Sequence, residues 1–243
     1  MEKEERWIGL NRDVIKYIAM LTMFLNHFAH LFLAEGTVLY ETFIDIGFFT
    51  AITMCYFLVE GYEYTKSKAN YGKRLFIFAI ISQIPYSIAF HTALLNMLFT
   101  LLICFLILYV KDTQKDSRKC SIYVAILVFI SIFCDWQLLA PIFTILFSEA
   151  KKDKEKIKRA YMKAIALDFL FMYLLVNKNT YSIGETMLHT LFSCLALCVS
   201  AIVILYLYNG QKSKRANKFS KWFFYCFYPG HITLLIVLKY LLK

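Results

Sequence analysis

With 243 residues, 60% of them hydrophobic and 18% aromatic, the chain carries more apolar surface than one water-soluble core of its size can hide. Its charged residues cluster between long apolar stretches, which excludes an ordinary soluble domain and leaves a polytopic helical membrane protein. The net charge of +10 falls in short segments between those stretches, where it sets orientation and meets anionic headgroups; its placement speaks against nucleic acid as a partner.

A bilayer core takes about 20 apolar residues per helix. Seven runs meet that length: 14–33, 43–62, 74–91, 93–110, 159–177, 186–208 and 221–242. The first contains "FLNHFAHLF" (Phe24–Phe32), with His27 and His30 spaced to share one helix face. The second carries Glu60 near its end, and the third opens on Lys73 and Arg74. The fourth contains Asn96 near its start. The stretch 121–149 reads either as two short helices, 121–134 and 136–149, turning at "CDWQ", or as one long helix; Asp135 and Trp136 have the character of an interface turn. His189 lies near the start of the eighth segment and His231 halfway along the last.

Charge asymmetry chooses between the alternatives. With nine segments and a cytoplasmic N-terminus, the loops 1–13, 63–73, 111–120, 150–158 and 209–220 and the adjoining helix ends hold every Lys and Arg except Lys178, Lys239 and Lys243. The expected fold is therefore all-α: a polytopic transmembrane bundle of about nine segments, N-terminus cytoplasmic and C-terminus outside, forming a single domain over 1–243. No cleavable signal peptide is evident, because further spans follow the first run. The seven cysteines form no CxxC pair, so neither a zinc site nor a disulfide framework is signalled and no metal is expected.

This orientation sorts the polar residues by depth. Arg12, Lys16, Glu60, Lys73 and Arg74 fall on the inner side, whereas the five histidines, Asp45, Asn96 and Asp135 fall at the middle or in the outer half. Ionisable residues in membrane helices are costly and point to function. Lys16 and Lys73 can instead snorkel, and Glu60 can serve a structural ion pair with Arg74. A histidine titrates near neutrality and is the usual general base; the bland alternative is a helix-to-helix hydrogen bond.

The chain resembles the TraX family of integral membrane proteins over nearly its whole length. The resemblance rests on "IAMLTMFLNH" (Ile18–His27), "FLVEGYEYT" (Phe57–Thr65), "YGKRLFIFAIISQIPYSIAF" (Tyr71–Phe90) and "NMLFTLL" (Asn96–Leu102), followed by "DW" at Asp135–Trp136, "YNG" at Tyr208–Gly210 and "KWFFYCFYPGHITLL" (Lys221–Leu235). The family's name-bearing member N-acetylates a conjugative pilin subunit with acetyl-CoA, and the family looks related to a wider group of membrane acyltransferases. The resemblance implies acyl transfer, acetyl foremost, from cytoplasmic acyl-CoA to an extracytoplasmic amine or hydroxyl: a peptide or protein N-terminus, or an envelope glycan. It implies a bacterial cytoplasmic membrane as the location, with lipids, the CoA thioester and the acceptor as partners. On this reading His27 is the general base, with His231, Asn96 and Asp135 as further catalytic candidates, and Asn96, His231 or Tyr228 as donors to a developing oxyanion. Arg12, Lys73 and Arg74, with Glu60, are the expected CoA-binding residues, since CoA phosphates seek Arg and Lys. The alternatives are a proton-coupled transporter and a non-catalytic assembly factor.

The departures from the family pattern are specific. Asn26 stands where an Asp commonly precedes the first-helix histidine, Phe48 and Ile52 replace Arg and Pro in the second helix, and Ser87 replaces a common acidic residue. Asp45 is a candidate for the missing carboxylate.

Overall fold

The computed structural model describes residues 9–150, 153–176, 182–211 and 218–242. Lys151, Lys152, Lys178, Lys243 and the basic residues of 212–217 lie outside the described residues. Among the described residues the chain forms nine α-helices: α1 Arg12–Phe32, α2 Val38–Tyr64, α3 Lys68–Phe90, α4 Met97–Thr113, α5 Ser117–Ile130, α6 Leu139–Ala150, α7 Lys154–Phe171, α8 Ile183–Ile202 and α9 Lys218–Leu241. Short π-helical stretches extend α7 over Met172–Val176 and α8 over Val203–Leu207. The stretch 121–149 resolves into two helices rather than one, with the chain reversing at 131–138.

Polar caps place several of these boundaries. Asn11 accepts from the N–H groups of Asp13 and Val14, Thr37 from Tyr40, Ser67 from Asn70, Asp116 from Arg118 and Lys119, and Asp153 from Glu155 and Lys156. Ser182 and Glu185 form a capping box at the start of α8. Several helices thus begin a turn or more away from the apolar runs that mark them.

The outer faces are as apolar as the interior. On α3, Leu75, Ala79, Ser82, Tyr86 and Ala89 face inward, while Phe76, Ile77, Ile80, Ile81, Ile84 and Ile88 are exposed. Exposing such a stripe to water would forfeit about 25 cal/mol for each Å² of apolar surface, so the bundle is suited to lipid. Among the described residues five helices are long and apolar enough to cross a membrane by length and composition: Arg12–Phe32, Val38–Tyr64, Lys68–Phe90, Ile183–Leu207 and Trp222–Leu241. The chain is therefore an all-helical membrane protein. α5 has 14 residues and α6 has 12, or roughly 21 and 18 Å at 1.5 Å per residue, short of the roughly 30 Å hydrocarbon core. Nine helices are therefore not equivalent to nine spans.

α2 is the central helix, packed by α1, α4, α6 and α8. Ile52, Phe57 and Cys55 on α2 are fully buried with Ile15, Phe143, Tyr161, Leu197 and Ile232 from its surroundings. Ile52, one of the family departures, is a core packing residue.

Candidate functional site

Two polar regions lie at opposite ends of α1. Towards its C-terminal end, a cavity of about 540 Å³ is lined by residues of α1, α2, α3, α4, α9 and the α5–α6 turn, among them His27, His30, Phe48, Tyr86, Asp135 and Tyr228. At the other end, a cavity of about 330 Å³ is lined by Arg12, Glu60, Tyr64, Tyr208, Gly210 and Gln211.

In the larger cavity His27 and His231 are both buried, 7% and 4% exposed, and their rings are hydrogen-bonded, Nδ1 of His27 to Nε2 of His231 at 2.7 Å. Nδ1 of His231 lies 2.7 Å from the Phe227 carbonyl, which can only accept. The network therefore assigns the proton of His231 to Nδ1 and leaves its Nε2 as an acceptor. His27 must donate through Nδ1–H, so the lone pair of its neutral ring is at Nε2. Phe90 and Tyr228 pack on the same imidazole, with ring centres 5.0 and 6.0 Å away. Two histidines some 200 residues apart in the chain form one hydrogen-bonded unit, a contact that composition and spacing did not reveal.

His30 also lines this cavity but is exposed, with its Nδ1 3.4 Å from the Tyr40 hydroxyl. The departures near His27 have structural uses. The Asn26 amide donates to the Ile44 carbonyl at 3.1 Å, across the α1–α2 contact. Phe48 packs edge-on against Trp136 at 4.9 Å, forming part of the cavity wall. Ser87 accepts from the Gln83 amide at 3.0 Å. Asp45 does not serve His27: its carboxylate faces His189 at 3.9 Å, beside Glu41 at 3.5 Å from the same ring.

Asn96 and Asp135 are placed very differently. Asn96 caps α4: its side-chain oxygen accepts from Leu98 N–H, and its amide donates to the Ala79 carbonyl and to Gln83 Oε1 at 2.8 and 2.9 Å. Both amide protons are used and Asn96 does not line the cavity, so its expected role as an oxyanion donor finds no geometric basis. Asp135 does line the cavity, on a turn fixed by the Asp135 N–H to Leu95 carbonyl bond and by Thr100, whose hydroxyl donates to the Asp135 carbonyl. Trp136 and Leu138 on this turn take positive φ values of 58° and 57°, conformations uncommon for side-chain-bearing residues. Burial pushes the Asp135 carboxyl up to about 6.

At the other end the helices are tied together by the N-terminal segment and the "YNG" stretch. Leu10 N–H donates to the Leu207 carbonyl, Asn209 N–H to Leu10, and the Asn209 amide to Gly9. Arg12 lies 3.6 Å from Glu60, whose other oxygen accepts from the Tyr208 hydroxyl at 2.6 Å. The ion-pair partner of Glu60 is thus Arg12, not Arg74 as the alternative sequence reading had it. The Arg74 guanidinium sits 5.8 and 5.9 Å from the ring centres of Tyr71 and Tyr225. Lys16 lies over Phe57 and Phe224 at 5.7 and 5.1 Å. Nε of Arg12 and Nε of Arg74 are buried with no hydrogen-bond partner among the described residues. Arg12 nevertheless lies between two carboxylates, its Nε 4.0 Å from Asp13 and its Nη1 3.6 Å from Glu60, so only its Nε–H hydrogen bond is unmade. Lys73 is exposed and lines neither cavity.

Among the described residues no group of three or more His, Cys, Asp or Glu side chains is arranged to hold a metal ion. The profile of the family described as TraX protein matches residues 11–239. The chain is also 28% identical over 251 residues to the probable fimbrial assembly protein FimC, serogroup H1, of Dichelobacter nodosus, covering 98% of this chain and 99% of that protein. No solved structure matches it. Matched over almost all its length, the chain belongs to the TraX family.

Proposed function

We propose that this protein is a membrane acyltransferase acting in the processing of a pilus or fimbrial subunit. It would carry an acyl group, acetyl foremost, from a cytoplasmic CoA thioester to an amine or hydroxyl across the membrane. The observation that carries this reading is the His27–His231 pair, whose hydrogen bonds leave a basic nitrogen on a residue lining a 540 Å³ cavity.

In the reaction, Nε2 of His27 takes the proton of the acceptor N–H or O–H as the acceptor attacks the thioester carbonyl. The tetrahedral centre collapses, the carbon–sulfur bond breaks, and the thiolate takes the proton back from His27. His231 holds the tautomer and orientation of His27 throughout, as the acceptor of its Nδ1–H. The CoA phosphates would meet Arg12, which lines the smaller cavity and whose Nε–H makes no hydrogen bond, with Arg74 as a second basic residue in α3. Fifteen residues of α1 separate Arg12 from His27, about 22 Å, a separation suited to the long pantetheine arm. The fimbrial description of the Dichelobacter relative supports an envelope protein as acceptor.

Purified protein supplied with acetyl-CoA and a peptide bearing a free amino terminus should release free thiol. His27→Ala should lower that rate by about 10²-fold or more, the usual contribution of a positioned base. Failure to bind CoA thioesters of any acyl length at high micromolar concentration would overturn the proposal. A proton-coupled transporter would instead move protons in proteoliposomes without CoA, and an assembly factor would do neither.

A further inference from the structure

We infer that Tyr228 is the oxyanion donor of this site, an assignment that rests on the acyl-transfer reading and deepens it. A thioester attacked at its carbonyl carbon moves the C=O π pair onto oxygen, and that charge needs a pre-positioned donor. The hydrogen-bond inventory eliminates Asn96 and His231, the other two donors the sequence offered. Asn96 has spent both amide protons on Ala79 and Gln83. His231 has one nitrogen on the Phe227 carbonyl and the other on His27.

Tyr228 is left with a proton to give. Its hydroxyl oxygen accepts from the Met97 N–H at 3.4 Å, and the O–H meets no acceptor among the described residues. The side chain is 3% exposed and lines the same cavity as His27, with the two ring centres 6.0 Å apart. One tetrahedral centre can therefore meet the base and the donor together. Met97 is the first residue of α4, a helix of 17 residues, so the phenol oxygen takes its hydrogen bond from the positive end of that helix. Accepting that bond makes the O–H a stronger donor, and the helix field favours negative charge at the same place.

The step balances without any further reactant. The acceptor's lone pair forms the new bond to carbon, its proton passes to Nε2 of His27, and the carbonyl oxygen becomes an alkoxide held by the Tyr228 O–H. Collapse restores the carbonyl, expels the thiolate and returns the proton from His27 to sulfur. Tyr228 keeps its proton from start to finish, which separates its role from that of the base.

The test is Tyr228→Phe, which removes the O–H and keeps the ring. With acetyl-CoA and the amino-terminal peptide, kcat should fall by about 10²-fold, the loss typical of one oxyanion donor, while KM for acetyl-CoA stays within about threefold. A second readout does not depend on turnover. A CoA analogue ending in a trifluoromethyl ketone, which adds water to give a tetrahedral hydrate that becomes an alkoxide as His27 takes its proton, should bind wild type at least tenfold more tightly than desulfo-CoA, and Tyr228→Phe should lose that preference. Retention of both kcat and the preference in Tyr228→Phe, with wild type active, overturns this assignment and leaves the acyltransferase reading standing. A comparable loss in Gln137→Ala, on the α5–α6 turn lining the cavity, without one in Tyr228→Phe would also overturn it. An inactive wild type that binds no CoA thioester overturns the reading and the assignment together.

Discussion

His27 has one proton and one lone pair to distribute, and its neighbours decide where each goes. The chain of bonds runs from His27 Nδ1 to His231 Nε2 and from His231 Nδ1 to the Phe227 carbonyl. A carboxylate in the place of His231 would both fix the tautomer and stabilise the imidazolium; a neutral imidazole fixes the tautomer alone. That difference makes the role of His231 testable by shape-tolerant substitution. Glutamine offers an amide oxygen to the Nδ1–H, whereas leucine offers nothing and leaves a buried donor unsatisfied, at a cost of about 1–3 kcal/mol. Thiol release by His231→Leu should be at least tenfold slower than by His231→Gln, and His231→Leu should also unfold at lower temperature in detergent. Equal rates in the two variants would remove the positioning role. Asn26, the departure closest to the base, does not enter this chain, because its amide is committed to Ile44 on the neighbouring helix.

The α1–α2 contact shows what helix patterning reveals and what it hides. A Cβ placed on Gly47 would lie 2.5 Å from Nδ2 and 2.9 Å from Cβ of Asn26. Gly47 therefore sets how closely α2 can approach α1 beside His27, as small residues do between membrane helices. Gly47→Ala should destabilise the protein by about 1–3 kcal/mol, in the range of core overpacking, read as a lower midpoint of thermal unfolding in detergent. Asn26→Ala in the same chain should recover part of that loss, because it removes the Nδ2 and Cγ atoms the new methyl meets while leaving Asn26 Cβ 2.9 Å away. No recovery would locate the strain elsewhere. The apolar runs and the ordering of helices were legible, since an apolar segment of this length has few other structures open to it. Asn96 was read as a donor to substrate although its place before "MLFTLL" is that of an N-cap, a signal available in the sequence. The pairing of His27 with His231, and of Glu60 with Arg12 rather than Arg74, depended on helix rotation and interlocking. Periodicity assigns a face to a side chain but not the neighbour opposite it.

Across the whole molecule, alternation of helix direction gathers the basic connections at one end. Arg12 at the start of α1 meets Glu60 near the end of α2, and Tyr62 of α2 donates to Asp112 at the end of α4. Lys111 of α4 pairs with Glu149 at the end of α6, and Lys154 at the start of α7 lies over the ring of Tyr206 near the end of α8. The opposite end carries the His27 cavity and the start of α8. By the positive-inside rule this charge separation predicts an orientation with the Arg12 end in the cytoplasm, which labelling tests. Lys66 in the α2–α3 connection and Ile183 at the start of α8 are both exposed and belong to opposite ends. The 25 residues from Ile183 to Leu207, next to the Tyr208 that bonds Glu60, correspond to roughly 37 Å, more than the hydrocarbon core. In a chain with Cys120, Cys198 and Cys226 replaced by Ser, a membrane-impermeant maleimide applied to intact cells should label Ile183→Cys and leave Lys66→Cys unlabelled until the membrane is opened. The reverse pattern would invert the orientation and place the His27 cavity on the side where CoA is made. Labelling of both from one side would mean that α8 does not cross, and a donor on one face would then have no route along α1 to an acceptor on the other.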